Sequence, residues 1–226
     1  MHLLSTSTFV SLLVALPFAT QASSSVPKLE RRHHKNHAPY TNVYMMRQDL
    51  DYSQGPLPIY TSEGTVAFLF VKSVHNPRRG ESTAKLMSNT SVPIFELFST
   101  NDACYLDSVY KEAPPATADF AIELYTHGLL KDDWRFNFRN TTGVTENYKF
   151  VRNYANKAGK IYNEVEGHNG DLIAKLSNQK RKDSWLLTKG HKEVETYTLS
   201  CTANSPQIEL VTLMAMVLHR VDACGL

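Results

Sequence analysis

Hydrophobic and polar residues alternate in short runs through most of this chain and then give way to one continuous apolar stretch. From Leu210 to Leu218 only Thr212 is polar, so the helix predicted over residues 206–223 presents apolar side chains in every direction. Such a helix is stable in water only when other parts of the protein surround it. Its apolar run is much shorter than the roughly 18 residues needed to cross a bilayer. The pattern therefore predicts a helix buried inside the domain.

Before this helix, short segments rich in β-forming residues follow one another, with glycine-containing turns between them. The spacing is that of sequential antiparallel strands. Closing a sheet of this length into a barrel removes its exposed edges, and the apolar helix fills the lumen. The sequence predicts a mainly β fold, a closed antiparallel β-barrel of about 12 strands around a buried C-terminal hydrophobic helix. The predicted strands include residues 65–71, 92–98, 104–110, 119–125, 134–138, 148–152, 160–165, 171–176, 185–187 and 195–199.

Residues 1–22 are typical of a secretory signal peptide. Residues 12–16 form its apolar centre, and small residues precede a cleavage site after Ala22. The alternative is a short buried helix, but Pro17 and the serine-rich residues beyond it would interrupt that helix. The sequence therefore predicts a secreted, extracellular protein.

Residues 23–32 are polar and end in the dibasic pair Arg31-Arg32. They resemble the short pro-segments that kexin-type proteases remove from fungal secreted proteins, and the alternative is an unprocessed tail. Cleavage after Arg32 leaves equal numbers of basic and acidic residues. A mature chain without net charge has no global electrostatic attraction to nucleic acid or to anionic membranes. We therefore expect no nucleic-acid partner.

The remaining residues are enough for one hydrophobic core, and no internal repeat or long low-complexity tract divides them. Residues 33–58 are polar and irregular and contain three prolines, which predicts a flexible arm. Residues 59–226 form the predicted barrel domain. We expect a single domain and a monomer.

The three cysteines, Cys104, Cys201 and Cys224, predict one disulfide and one free thiol in an oxidising compartment. A continuous helix over residues 208–223 spans about 24 Å and separates Cys201 from Cys224. Disulfide-bonded residues have Cα atoms within about 7 Å of each other. Cys104 is therefore the expected partner of one of the other two.

Two sequons, beginning at Asn89 and Asn140, predict N-linked glycans on a secreted surface. They add to the prediction of export. Neither sequon identifies a function.

Several segments of the second half carry a resemblance to the tubby C-terminal-like superfamily, which also includes the LURP-one-related proteins and the phospholipid scramblases. The resemblance covers residues 61–223 and is clearest after Trp134. The segments that carry it are residues 134–138, 148–150, 171–176 and 195–199, followed by the apolar helix from Ile208.

The resemblance implies a barrel of about 12 strands around a central hydrophobic helix, and a function in binding rather than catalysis. Tubby proteins bind phosphoinositide headgroups through basic residues on the barrel, and LURP-one-related proteins act in plant defence. This chain differs from the family in its secretory leader, which separates it from the cytoplasmic leaflet where phosphoinositides lie.

The basic segment over residues 175–182 is the first candidate ligand site. We predict a loop between two strands whose charged groups hold a lipid headgroup or a protein ligand by charge-assisted hydrogen bonds. The alternative is an ordinary solvated hairpin tip. The four basic residues of this segment are Lys175, Lys180, Arg181 and Lys182.

A histidine cluster is the second candidate. Cleavage after Arg32 makes His33 the new amino terminus, and its α-amine with His34 and His37 offers nitrogen ligands that suit copper or zinc. The alternative is a flexible histidine-rich tail. We predict no cofactor, and a copper oxidase using His33 remains the alternative enzyme.

The sequence contains no recognisable catalytic motif, since neither Gly-x-Ser-x-Gly nor His-Glu-x-x-His occurs. A hydrolase with a dispersed site would draw on a histidine, and only geometry can show such a site; the candidates are His127, His168, His191 and His219. His219 near the end of the predicted helix is expected to interact with the helix C-terminus. The function predicted from the sequence is a secreted, non-enzymatic binding protein, with a fungal effector as its specific form. The alternatives are a secreted enzyme and a phosphoinositide-binding tubby-like protein.

Overall fold

The fold is described from a computed structural model, which covers residues 37–114, 118–126, 132–153, 157–187 and 190–225. The predicted signal peptide, the predicted pro-segment and the cleavage sites at Ala22 and Arg32 lie outside the described residues, as do His33 and His34.

Twelve strands and one α-helix make up the described part of the chain, with a short 3₁₀ helix at Tyr52–Gln54. The helix α1 runs over Gln207–Cys224. The strands are β1 Tyr40–Arg47, β2 Leu57–Thr61, β3 Val66–Asn76, β4 Glu81–Ser88, β5 Pro93–Ser99, β6 Ser108–Glu112, β7 Ala121–Thr126, β8 Asp132–Arg139, β9 Thr145–Arg152, β10 Gly159–Val165, β11 His168–Arg181 and β12 Val194–Thr202.

Each strand pairs antiparallel with its neighbours in sequence, and β1 pairs with β12 to close the barrel. Because the strands alternate in direction, every even-numbered strand begins at one end of the barrel and finishes at the other, as β12 does. We call the end where β12 finishes and α1 begins the proximal end. The opposite end, where α1 finishes at Cys224, is the distal end. The predicted mainly β, closed barrel with its C-terminal helix is confirmed.

The lumen is filled by α1 and by the inward-facing side chains of the strands. Every residue of α1 from Leu210 to Leu218 is buried, including Thr212, whose hydroxyl donates to the backbone oxygen of Ile208. The helix ends at Gly225, which adopts the left-handed conformation and donates to Val221. The all-round apolar character of this helix therefore follows from its position in the centre of the core.

Strand β8 illustrates how the sequence sets the two faces of the barrel wall. Trp134, Phe136 and Phe138 are buried and belong to the core, whereas the residues between them face outward. Period-two alternation is the signature of a strand with one buried face. Of the helices in the described residues, none is long and apolar enough to span a membrane.

The prediction of a flexible arm over residues 33–58 is wrong from Tyr40 onward. Residues Tyr40–Arg47 form β1, which joins β12 to β2 and closes the barrel. Met45 and Met46 are fully buried. The compact unit accordingly includes the described residues that precede residue 59. Pairing on both sides and burial of these side chains stabilise a strand that the local sequence does not reveal.

The predicted strand at residues 185–187 is a turn that packs on the outside of the barrel. Trp185 lies against Tyr60, with ring centroids 5.2 Å apart, and Leu186 is fully buried. Arg47 donates to the backbone oxygen of Leu186. This strap, residues 183–187, has apolar side chains because it covers the outer face of the barrel at β1 and β2, so its residues resemble a strand in composition.

Residues 104–107 likewise form a loop instead of the first half of a predicted strand, because β6 begins at Ser108. The side-chain oxygen of Asn101 accepts from the backbone nitrogen of Val109, and the Asn101 amide donates to the backbone oxygen of Asp107. These bonds hold the loop against the distal end of the barrel.

Candidate functional site

The basic segment predicted as a loop belongs almost entirely to a strand. Strand β11 extends to Arg181, and it pairs with β12 as far as the pair Arg181 and Val194. The prediction of a loop is therefore wrong for Lys175, Lys180 and Arg181. Lys182 is exposed and follows the strand directly. Because side chains alternate along a strand, these four basic residues do not converge on one turn.

Two of the four basic residues are neutralised by neighbouring carboxylates. The Lys180 ammonium lies 3.1 Å from Glu193 and 3.7 Å from Glu195. These glutamates raise the pKa of Lys180, with Glu193 making the larger contribution. Arg181 pairs with Asp183 at 2.7 Å. The tip of the β11–β12 connection is therefore a mixed-charge surface and offers little attraction to an anion.

Lys175 lies beside a second lysine, which does not belong to the predicted basic segment. Lys160 on β10 is its direct partner in the register of β10 and β11. Both side chains are exposed on the outer face of the wall, and neither forms an ion pair with any residue in the described part of the chain. Directly opposed residues have Cβ atoms about 5 Å apart, where like charges repel. Two ammonium groups thus share one small area of surface.

The two lysines line a groove of about 450 Å³ on the outer wall, towards the distal end. Among the described residues no carboxylate lines this groove, whereas three other pockets each contain at least two. The groove therefore combines positive charge with hydrogen-bonding groups and one aromatic ring. Its lining residues are Val151, Arg152, Asn153, Ala158, Gly159, Lys160, Tyr162, Lys175, Ser177 and Asn178.

A buried ion pair supports the rim of this groove. Arg152 at the end of β9 donates to Asp132 at 2.6 Å, and both side chains are almost completely buried. The second carboxylate oxygen of Asp132 accepts from the indole nitrogen of Trp134 at 2.7 Å. Burial raises the pKa of the nearby Tyr197, whose hydroxyl donates to the backbone oxygen of Lys157. These contacts fix the backbone on both sides of the groove.

Glycine is required at the edge of the groove where β10 begins. A Cβ at Gly159 would collide with the ring of Phe150 and would lie 2.5 Å from the backbone oxygen of Val151. The absence of a side chain allows β9 and β10 to approach closely at this point. The backbone position of Lys160, the next residue, depends on this close approach.

The predicted histidine metal site is only partly described. His37 is exposed and stacks on Tyr40 with ring centroids 4.6 Å apart, while its partners His33 and His34 lie outside the described residues. Among the described residues no group of three or more histidine, cysteine or acidic side chains is arranged to hold a metal ion.

The described histidines among those considered for hydrolysis lie apart. His168 is exposed at the start of β11, His191 lines a distal pocket beside Glu193, and His127 lies outside the described residues. His219 faces Tyr52, with ring centroids 6.0 Å apart, and burial together with the Lys72 ammonium lowers its pKa to about 4. Its environment disfavours the imidazolium, so the expected favourable charge at the helix C-terminus does not arise.

The disulfide joins Cys104 to Cys224, with Cα atoms 5.4 Å apart, and Cys201 is a buried free thiol. The predicted pairing of Cys104 with one of the other two cysteines is confirmed. The bond ties the loop before β6 to the end of α1. Arg220 strengthens this attachment by donating to the backbone oxygen of Ala103 at 2.7 Å.

The two sequons both lie in turns at the proximal end. Asn89 is exposed between β4 and β5. Asn140, between β8 and β9, accepts hydrogen bonds from the backbone nitrogens of Thr142 and Val144 and donates to Glu146. Any glycans would therefore extend from the end of the barrel opposite to the disulfide.

Comparison of this chain with models of known protein families finds no match, and comparisons with characterised proteins and with solved structures find none either.

Proposed function

We propose that this protein is a secreted, non-enzymatic binding protein that recognises an anionic ligand through Lys160 and Lys175 on the outside of the barrel. The observation that carries the proposal is the direct pairing of two exposed lysines in a groove that no carboxylate of the described residues lines. An anion placed between the two ammonium groups would form charge-assisted hydrogen bonds and relieve their mutual repulsion.

The charge distribution favours this groove over the segment at residues 180–182. Lys180 and Arg181 already have carboxylate partners, so an anion would have to displace them. No such displacement is needed at Lys160 and Lys175. The proposed site therefore contains Lys175, as the sequence predicts, together with Lys160. It does not include the other three basic residues of the predicted segment.

Export is part of the proposal because the leader sequence predicts it and a disulfide is typical of oxidising compartments. The barrel around a C-terminal helix is also the architecture that the resemblance to the tubby C-terminal-like superfamily implies. We propose that relationship on the shared architecture and on the segments that carry the resemblance. A fungal effector is the form of secreted binding protein that we propose.

Binding of the purified protein to immobilised dextran sulfate tests the proposal. We expect retention that weakens with salt, because exposed charges are screened. The double substitution Lys160→Ser and Lys175→Ser should reduce binding by at least about tenfold, since it removes both cations. It also removes a like-charge pair, so the variant is expected to remain folded.

The matched control replaces Lys180 and Lys182 by serine, which changes the net charge by the same amount. This control should bind like the unaltered protein. Absence of binding by the unaltered protein, or equal losses in both double variants, would reject the groove as an anion site. Vesicles of phosphatidylcholine with and without a phosphoinositide, used in the same comparison, show whether a lipid headgroup is accepted.

A further inference from the structure

Tyr162 places an aromatic ring in the same groove as the two lysines. It lies two residues after Lys160 on β10, and both side chains face outward because the buried Ile161 between them faces the core. The ring is half-buried and lines the groove. Its hydroxyl makes no hydrogen bond to any group in the described part of the chain. The groove therefore offers an aromatic surface beside a pair of cations.

A hydroxyl group of the lining can exchange hydrogen bonds with a polar ligand. Ser177 lies on the outer face of β11, two residues after Lys175, and its hydroxyl can donate or accept. Asn178 also lines this edge of the groove, where its side-chain oxygen accepts from Gln48. A ligand that uses the whole groove thus needs a negative group, several hydroxyls and a face apolar enough to contact an aromatic ring.

The size of the groove favours a small ligand unit. A volume of about 450 Å³ lies within the range of small-molecule sites. A bare inorganic anion would occupy only the space between the lysines and would make no use of Tyr162. A sugar ring has both an apolar C–H face and a rim of hydroxyls, and an acidic sugar adds the required charge.

We propose that the groove binds an acidic sugar unit of an oligosaccharide, with its carboxylate or sulfate between Lys160 and Lys175 and its ring against Tyr162. This inference rests on the proposed function and adds the chemical class of the ligand. The leader sequence predicts an extracellular location for this protein, and acidic glycans are displayed there.

A titration of the protein with trigalacturonate, measured by calorimetry, tests whether the groove binds an acidic sugar. The unaltered protein should bind trigalacturonate more tightly than neutral maltotriose and more tightly than sodium sulfate. Tyr162→Ala should weaken binding of trigalacturonate by about tenfold through loss of the aromatic contact. Tyr162→Phe keeps the ring and should bind within about threefold of the unaltered protein. The same Tyr162→Ala variant should retain its affinity for sulfate, which contacts only the lysines.

Different outcomes separate this inference from the proposed function. If dextran sulfate binding requires the lysines but Tyr162→Ala leaves trigalacturonate binding unchanged, the sugar assignment is wrong and the anion site stands. If phosphoinositide vesicles bind and trigalacturonate does not, the ligand is a lipid headgroup and the sugar assignment is also wrong. If no anion binds, both proposals fail. Thermal unfolding of each variant identifies any loss that comes from misfolding.

Discussion

The Lys72 ammonium lies 2.7 Å from the carboxylate of Asp102 at the distal end, with only 4 % and 8 % of the two side chains exposed. Asp102 also accepts from the hydroxyl of Ser82 and lies 3.5 Å from Arg220. Burial alone would raise the pKa of Asp102, but the Lys72 ammonium and the hydrogen bonds outweigh it and hold the pKa below its ordinary value. One carboxylate thus connects strand β3, the loop before β6 and helix α1.

Replacement of Asp102 by alanine should destabilise the protein strongly. It leaves Lys72 and Arg220 without their shared carboxylate in a buried position, and loss of one partner of a buried ion pair typically costs about 3–5 kcal/mol. Urea unfolding at neutral pH measures the effect. The control variant Glu96→Gln breaks the more exposed ion pair with Lys85 and should alter the free energy of unfolding by less than about 1 kcal/mol. Equal effects of the two changes would contradict the central role of Asp102.

The disulfide between Cys104 and Cys224 should contribute about 2–4 kcal/mol, because it closes a long loop in the unfolded chain. Unfolding of a variant with serine at both positions measures this contribution. Alkylation with iodoacetamide checks the pairing independently. We expect no reaction in the folded protein, one modified cysteine in denaturant and three after reduction, because Cys201 is buried and free. Reaction of a different cysteine in denaturant alone would show that the pairing is wrong.

Acid should destabilise the fold through His219. The folded pKa is lowered to about 4, mainly by burial and also by the Lys72 ammonium, with Asp102 and Asp222 opposing the shift. The unfolded chain has an ordinary value of 6.5, so it binds more protons between these two pH values. The free energy of unfolding should therefore fall as the pH falls from 6.5 to 4, by at most about 3 kcal/mol.

Unfolding of the His219→Phe variant across this pH window checks the origin of the effect. Phenylalanine keeps a ring against Tyr52 and removes the titrating group. Its stability should depend less on pH between 6.5 and 4 than that of the unaltered protein. His191→Gln serves as the control at an exposed position and should keep the full dependence. An unchanged slope in His219→Phe would assign the acid sensitivity to other groups.

The two sequon asparagines should differ in their importance for folding. Asn140 forms side-chain hydrogen bonds to two backbone nitrogens and to Glu146, whereas the side chain of the exposed Asn89 forms none within the described residues. In protein produced without glycans, Asn140→Gln should lower stability by about 1–2 kcal/mol and Asn89→Gln by less than about 0.5 kcal/mol. Thermal or urea unfolding distinguishes these results. Comparable losses at both positions would show that the turn bonds of Asn140 contribute little.

The architecture could be predicted because its strongest signals are local. The apolar run from Leu210 to Leu218 requires burial on all sides, and the alternation around Trp134 and Phe136 requires a wall with one buried face. Together these two patterns leave a barrel around a helix as the natural solution. The closed order of strands in the structure agrees with this interpretation.

The sequence predictions are wrong where long-range packing determines the local structure. Strand β1 is stabilised by pairing with β12, about 150 residues away in sequence, and no feature of the sequence near Tyr40 indicates that partner. Trp185 and Leu186 have the composition of a strand but cover the outside of the barrel. Contacts of this kind depend on the completed fold, so composition alone assigns them to the wrong element.

The candidate site could be predicted only in part for the same reason. The basic residues next to Lys175 along the chain indicate it as a candidate, but its neighbour across the sheet is Lys160. The alternation around Ile161 and Ala174 indicates that both lysines face outward. The register between β10 and β11 was needed to bring them together, and it contains two irregularities that the sequence does not reveal.

The closure of β1 on β12, with α1 following all the strands, also sets the order in which the protein can fold. The inner faces of the early strands have no packing partner until α1 is available, and the barrel has open edges until β12 pairs with β1. Contacts between distant parts of a chain form slowly, and unpaired strands that wait for them are prone to aggregation. Folding of the barrel therefore finishes only after synthesis of the helix, and the apolar faces of the strands lack their central packing partner during that interval.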